Sequence, residues 1–337
     1  MSVPTAAYNQ QPHHPGRDEA RRVIGAISQS FETKVVGQSN LRESLLIGLL
    51  AGGHILLESV PGLAKTTAAR VLAESIDGQF HRIQCTPDLL PSDILGTQVY
   101  NAAKSRFDTY LGPVHSNIVL LDEINRSSAK TQSAMLEAMQ ERATTIAGET
   151  VAIEEPFLVI ATQNPVDQEG TYPLSEAQTD RFMLKETLNY PTPREEVAVM
   201  EKIDAGIYKH PSQPVISRED VIQLQQIVAA AHMDAALMGY AADLVGVTRT
   251  LADYPQTAPM ARYVQYGASP RATIAFCKAA RARAVLQGRD YVHPGDIAAV
   301  AHRVLRHRLI LGFEAAGAGL SSENIIDAVL QAIRIPT

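Results

Sequence analysis

The chain has 337 residues, is 45% hydrophobic and 20% charged, and carries a formal net charge of -6. Its length suggests about two domains, and the composition is that of an ordinary globular protein. The acidic balance argues against nucleic-acid binding through bulk charge, and the longest apolar stretch, 45–57, is broken by Gly52, Gly53 and His54 and is too short to span a bilayer.

Residues 1–17 hold Pro4, Pro12, Pro15 and the pair His13-His14 and read as a disordered tail. No basic-then-apolar pattern opens the chain, so a cytoplasmic protein is expected. Cys85 and Cys277 each lie in an apolar run and read as core residues. From Asp18 the spacing Val23, Ile24, Ile27, Phe31 predicts a helix, and Leu41, Leu45, Leu46, Leu49 predict a second after the turn-like Val35-Val36-Gly37-Gln38.

His54 to Leu57 then reads as a short buried parallel strand. A loop follows, with Ser59, Pro61, Gly62, Leu63 and Ala64, before Lys65, Thr66 and Thr67 open a segment of good helix propensity. Strand, loop, Lys-Thr, helix is the architecture of a phosphate-binding loop, whose backbone N–H groups point at an anion. Lys65 would reach the terminal phosphates and the Thr66 hydroxyl would hold Mg²⁺. The pattern G-x-x-x-x-G-K-[ST] fails at Ser59 and Ala64, where glycines belong, which leaves Gly62 to take φ > 0 cheaply. An ordinary strand–turn–helix with a solvated lysine fits the same residues.

Further along, strands are expected at 79–85, 117–121, 157–161 and 182–188, a loop at 87–96, hairpins at 97–110 and 144–153, and an amphipathic helix at 128–142. Alternating helices and apolar strands give a doubly wound α/β domain with a mainly parallel sheet over 18–190. Tyr190-Pro191-Thr192-Pro193 is a break. Beyond it only helical patterns follow, at about 194–208, 217–231, 234–252, 270–287, 294–304 and 321–333, so 191–337 reads as a smaller all-α domain.

Four features meet the phosphate loop at strand ends, where α/β ligand sites lie. Asp122 closes an apolar strand and can hold Mg²⁺ through water, and Glu123 after it can polarise an attacking water. Asn164 follows another apolar strand and can orient that water, or it is a turn residue before Pro165. Arg181, ahead of the last strand, fits an arginine supplied to a neighbouring subunit, or a surface salt bridge. Ser269 and Pro270 start a helix that places Arg271 in its first turn. The helix dipole disfavours a cation there, unless a phosphate or a structural carboxylate offsets it.

Together these segments resemble the MoxR family of AAA+ ATPases over about 20–335. The resemblance rests on Val35-Val36-Gly37-Gln38, Val60-Pro61-Gly62-Leu63-Ala64-Lys65-Thr66, Thr86-Pro87-Asp88-Leu89-Leu90-Pro91-Ser92-Asp93-Ile94, Leu121-Asp122-Glu123-Ile124-Asn125-Arg126 and Ala161-Thr162-Gln163-Asn164-Pro165. It extends through Glu169-Gly170-Thr171-Tyr172-Pro173-Leu174-Ser175-Glu176-Ala177-Gln178-Thr179-Asp180-Arg181-Phe182 and Gly267-Ala268-Ser269-Pro270-Arg271. The resemblance implies a P-loop AAA+ module with a helical lid, binding ATP and Mg²⁺, in a hexameric ring with chaperone-like remodelling activity. It also implies a partner carrying a von Willebrand factor A domain. Carried over, Lys65 and Thr66 are the phosphate-loop pair, and Asp122 and Glu123 the second acidic motif. Asn164 is the first sensor, Arg181 the trans finger, Arg271 the second sensor, and Gly37 and Gln38 the adenine-side turn. Ser59 departs from the family, which usually has Gly there.

Two other functions fit the same module. A nucleic-acid motor would need a basic and aromatic stripe. The cluster Arg303, Arg306, His307, Arg308 reads instead as a solvated helix face. A nucleotide-gated scaffold would need little turnover.

Overall fold

The computed structural model describes residues 15–60, 62–165 and 171–336. The expected tail, with His13-His14, therefore lies outside the described residues up to position 14. Helix α1 (Pro15–Lys34) starts three residues sooner than the apolar spacing predicts, with a proline in the first turn, where no N–H is needed. There follow α2 (Ser39–Leu50), β1 (Ile55–Glu58), α3 (Lys65–Ser75), β2 (Phe80–Gln84), α4 (Pro91–Leu95), β3 (Gly96–Asn101), β4 (Arg106–Leu111) and β5 (Ile118–Asp122). Next come α5 (Ala129–Glu141), β6 (Ala143–Ile146), β7 (Glu149–Ala152), β8 (Leu158–Gln163), α6 (Glu176–Thr179) and β9 (Leu184–Thr187). The remainder comprises α7 (Pro193–Asp204), α8 (Arg218–Ala230), α9 (Ala235–Val247), β10 (Val264–Tyr266), α10 (Pro270–Leu286), α11 (Pro294–Leu305), β11 (Ile310–Leu311), α12 (Phe313–Gly317) and α13 (Ser322–Ala332).

The main sheet has five strands in the order β2-β5-β8-β1-β9, all parallel. Side chains alternate across it, as the two-residue strand period requires. Ile55 and Leu57 join one core with α1, α2 and α3, whereas Leu56 joins a second core with Met135 and Leu136 of α5. The first core continues without interruption into α8, α9, α10, α11 and α13, so the helical part is packed onto the α/β layer. Parallel strands put all their C-terminal ends on one edge of the sheet and all their N-terminal ends on the other. That polarity decides which site residues can meet.

Three expectations need correcting. The segment 87–96 is not all loop: Pro91–Leu95 form α4, held by Asp93 accepting from the Leu90 N–H at 2.8 Å. The helical part is not purely helical, since Val264–Tyr266 and Ile310–Leu311 pair as a short antiparallel ladder, too short to produce a strand-length pattern. Nor is the basic cluster a solvated face. Arg303, His307 and Arg308 are buried, because α11 packs on α10, α13 and β9; carboxylates meet the two arginines and the Phe182 carbonyl meets His307. Arg303 bridges Glu43 and Glu186, each at 2.8 Å, and Arg306 pairs with Glu323 at 2.9 Å. Glu43 and Glu186 lie more than a hundred residues from Arg303, so no local pattern reports them. Among the described residues, no helix is long and apolar enough to cross a membrane.

Candidate functional site

The loop after β1 is shaped by its backbone. Gly62 has φ 87, as expected, but Ala64 is also left-handed, at φ 54 and ψ 17. An L-residue there costs roughly 1–2 kcal/mol, so Ala64 carries strain that a glycine would not. Ser59, the other departure, is not among the positive-φ residues; it is buried, and its N–H donates to the Gln163 carbonyl at 3.1 Å. Pro61 lies outside the described residues. Ala64 caps α3 without a side-chain hydrogen bond, so the first N–H groups of the helix face the loop. Lys65 and Thr66 occupy that first turn. Burial pulls the Lys65 ammonium below its ordinary pKa, while the charges of Asp122 and Glu123 push it back up.

Asp122 and Glu123 sit at the same edge, two strands away at the end of β5, and Asn164 follows β8, which lies between β5 and β1. One buried residue that sequence reasoning passed over, Thr162, organises the pair. Its hydroxyl donates to Asp122 Oδ1 at 2.8 Å and accepts from the Glu123 N–H at 2.9 Å. Arg82 of β2 donates to Asp122 Oδ2 through Nη2 at 2.6 Å and Nε at 3.1 Å. Burial alone would raise the Asp122 pKa, but these hydrogen bonds and the charges of Lys65 and Arg82 hold it below the ordinary value. Glu123 is left-handed at φ 57, and its Oε2 meets Arg126 Nε at 3.0 Å and Gln84 Nε2 at 3.4 Å. Arg82 and Gln84 lie two apart on one face of β2, a polar pair that could have signalled a buried charge partner.

Beside the loop opens a cavity of about 520 Å³. Gln38, Gly62, Leu63, Ala64 and Thr67 line it on one side, and Tyr190, Val199, Ile203 and Tyr208 on the other. The apolar side is contributed by α7 and its flanks, which no motif marks. Gly37 has φ 71, a left-handed conformation that a side chain would strain, so the turn favours glycine. The donor set suits a magnesium nucleotide: hard carboxylate oxygen at Asp122, a hydroxyl at Thr66, a lysine between them and the loop. Among the described residues no cluster of three or more His, Cys, Asp or Glu could hold a metal by itself, so phosphate oxygens or water would complete the coordination.

Arg181 and Arg271 are elsewhere. Arg181 precedes β9 and so lies at the N-terminal edge of the sheet, across from the loop. Together with Arg271 it lines a cavity of about 240 Å³ with Gly53 and His54, at the start of β1. The strand between the edges has four residues, a rise of roughly 13 Å. The chain thus brings Arg271 to Arg181 and not to its own Lys65. As expected, Ser269 caps α10, accepting from the Arg271 N–H at 3.1 Å. The Ser269 hydroxyl also donates to Asp180 Oδ2 at 2.8 Å, and buried Arg308 donates to Asp180 Oδ1 at 2.7 Å. This clamp fixes the backbone next to Arg181. Neither Arg181 nor Arg271 has a carboxylate within ion-pair distance among the described residues.

Known proteins are similar to this chain over most of its length. Residues 54–184 match the ATPase family associated with various cellular activities, and 258–329 match the AAA lid domain. The chaperone MoxR1 of Mycobacterium tuberculosis is 46% identical over 311 residues, 91% of this chain and 81% of that protein. The YeaC protein of Bacillus subtilis is 43% identical over 95% of this chain and 97% of its own length. The chain belongs to the MoxR family of AAA+ ATPases. A crystal structure of a Cytophaga hutchinsonii protein assigned as an ATPase superposes on this MoxR chain with a TM-score of 0.90, at 45% identity, covering 96% of this chain and 98% of that one.

Proposed function

We propose that the chain is a cytoplasmic ATPase that binds Mg²⁺ and ATP between the phosphate loop and β5. It works in a ring of like chains, hexameric by family resemblance, as a chaperone-like remodeller with a von Willebrand factor A domain partner. Lys65 and the backbone around Gly62 and Ala64 hold the phosphates, and the cavity at Gln38 takes the base. Mg²⁺ held by Thr66 and Asp122 with phosphate oxygens would neutralise charge on the transferred group. Glu123 takes the proton of the attacking water, and Asn164 orients that water. Arg181 and Arg271 belong to the nucleotide of a neighbouring chain, where they stabilise charge developing on the γ-phosphoryl group.

The observation that carries this reading is the division of the site between the two sheet edges. A finger arginine that cannot reach its own phosphate loop makes chemical sense if a second chain supplies the loop. The name of the relative MoxR1 supports the chaperone role. Titrating a fluorescent ATP analogue tests the core of the reading. Lys65→Ala should abolish binding, because Lys65 contacts ground-state phosphates. Glu123→Gln should keep binding and lose turnover by about 10²–10⁴. Equal loss of affinity in both variants would overturn these roles.

A further inference from the structure

Asp122 Oδ2 accepts two N–H groups from one guanidinium, and Oδ1 is held by Thr162. A carboxylate oxygen offers two lone-pair sites, so Oδ2 is full while Arg82 stays. A metal-bound water reaches that oxygen only if the guanidinium leaves. Arg82 is placed to leave. It lies on β2, the strand at the edge of the sheet, and its side chain is 46% exposed. Besides Asp122, its hydrogen-bond partner is the Gln84 side chain, at 2.7 Å, so rotation about side-chain bonds alone would release it. Asp122 stays behind, fixed by Thr162.

We propose that Arg82 is a positioning residue that closes Oδ2 of Asp122 to a bare divalent cation and yields it when the cation arrives with the phosphates of ATP. The inference rests on the reading that this site takes magnesium ATP. A lone divalent cation repels the guanidinium and offers it no new partner. A metal nucleotide brings more negative than positive charge, and its phosphate oxygens give the displaced guanidinium an alternative acceptor. Metal entry is thereby coupled to nucleotide entry, and free cellular Mg²⁺ binds the site more weakly than it would without Arg82.

The test uses Mn²⁺ as the probe, with free ion counted by electron paramagnetic resonance on the full chain without nucleotide. Arg82→Gln and Arg82→Ala should bind Mn²⁺ about tenfold more tightly than the unaltered protein, the loss expected for one charged hydrogen-bonding partner. Arg82→Lys should stay close to the unaltered protein, and adding Asp122→Asn to Arg82→Gln should remove the gain. Melting temperatures within a few degrees of the unaltered protein establish that the fold is kept. Mn²⁺ binding without nucleotide that is as tight in the unaltered protein as in Arg82→Gln would overturn the inference. A fluorescent ATP analogue with Mg²⁺, titrated in parallel, separates the two readings. If the unaltered protein takes the analogue and the Mn²⁺ affinities are equal, the role of Arg82 fails alone. If it does not take the analogue, the nucleotide reading fails.

Discussion

The two edges of the sheet balance their charges differently. At the C-terminal edge each carboxylate of the acidic pair has an arginine of its own chain, Arg82 at 2.6 Å for Asp122 and Arg126 at 3.0 Å for Glu123. At the N-terminal edge Arg181 and Arg271 sit beside Lys278 and beside Arg142 and Arg308, of which Arg142 is paired with Glu155, and Asp180 is the acidic side chain in the same cavity. Asp180 is already used by Arg308 and Ser269. One edge is neutralised from within and the other holds a surplus of cations. Under the proposed function these edges are two halves of a site facing apart, and the basic half is the one that an anion from a neighbouring chain would complete.

The strongest way to break this contrast is at Arg308. It is buried, and it binds the Asp180 carboxylate at 2.7 Å and the carbonyls of Phe182 at 2.7 Å and Met183 at 3.2 Å. Arg308→Met leaves the Asp180 carboxylate with the Ser269 hydroxyl alone and removes the charged donor from those carbonyls, so chemical denaturation should report a loss of about 3–5 kcal/mol. Turnover should fall further than nucleotide affinity, because the basic edge loosens and the phosphate loop does not. Affinity falling in step with turnover would tie the two edges together.

Acid should loosen the same edge. His54 accepts from the Val159 N–H through Nδ1 and meets the Met139 carbonyl through Nε2, each at 3.0 Å. That geometry needs a neutral ring, and burial, with smaller effects from Arg142 and Lys278, lowers its pKa from 6.5 to about 4. A base with a depressed folded pKa stabilises fully above its unfolded pKa. Stability is therefore lost as pH falls from 6.5 toward about 4. Thermal melts across this window should fall more steeply in the unaltered protein than in His54→Gln. Parallel slopes would remove His54 from the account.

The smallest effects sharpen the other edge. Ala64→Gly should raise stability by about 1 kcal/mol, since the loop already takes the left-handed conformation there. Ser59→Gly should not, because Ser59 is unstrained and packed. A melting shift of the opposite order would mean that Ser59, and not Ala64, carries the loop's cost.

Much of the candidate site at the C-terminal edge was legible because Asp122, Glu123 and Asn164 come at the ends of continuous apolar runs. A strand buried on both faces announces itself, and the polar residue that closes it, such as Asp122, or that follows its end, such as Asn164, lies at the edge. The arginine edge was legible only in part. Arg181 could be set ahead of β9, but the position of Arg271 depends on how the helical part packs, and that is fixed by contacts such as Ser269 with Asp180. The burial of Arg303 and Arg308 was hidden for the same reason, since Glu43, Glu186 and Asp180 lie more than a hundred residues away. Thr162 and Arg82 were missed because neither ends a strand. Each acts from within one, on a neighbour in the sheet.

The division of one site between two chains is tested most directly by mixing two inactive proteins. Arg181→Ala should keep monomer stability and nucleotide affinity while losing turnover, by about 10³–10⁵ where the trans arginine acts as in other NTPases. Glu123→Gln should be inactive for a different reason. In a mixed oligomer some interfaces pair an intact Arg181 with an intact Glu123, and ATP hydrolysis should return there in proportion to their number. Hydrolysis that stays at the level of the separate variants, in an oligomer demonstrated to contain both, would contradict the trans assignment.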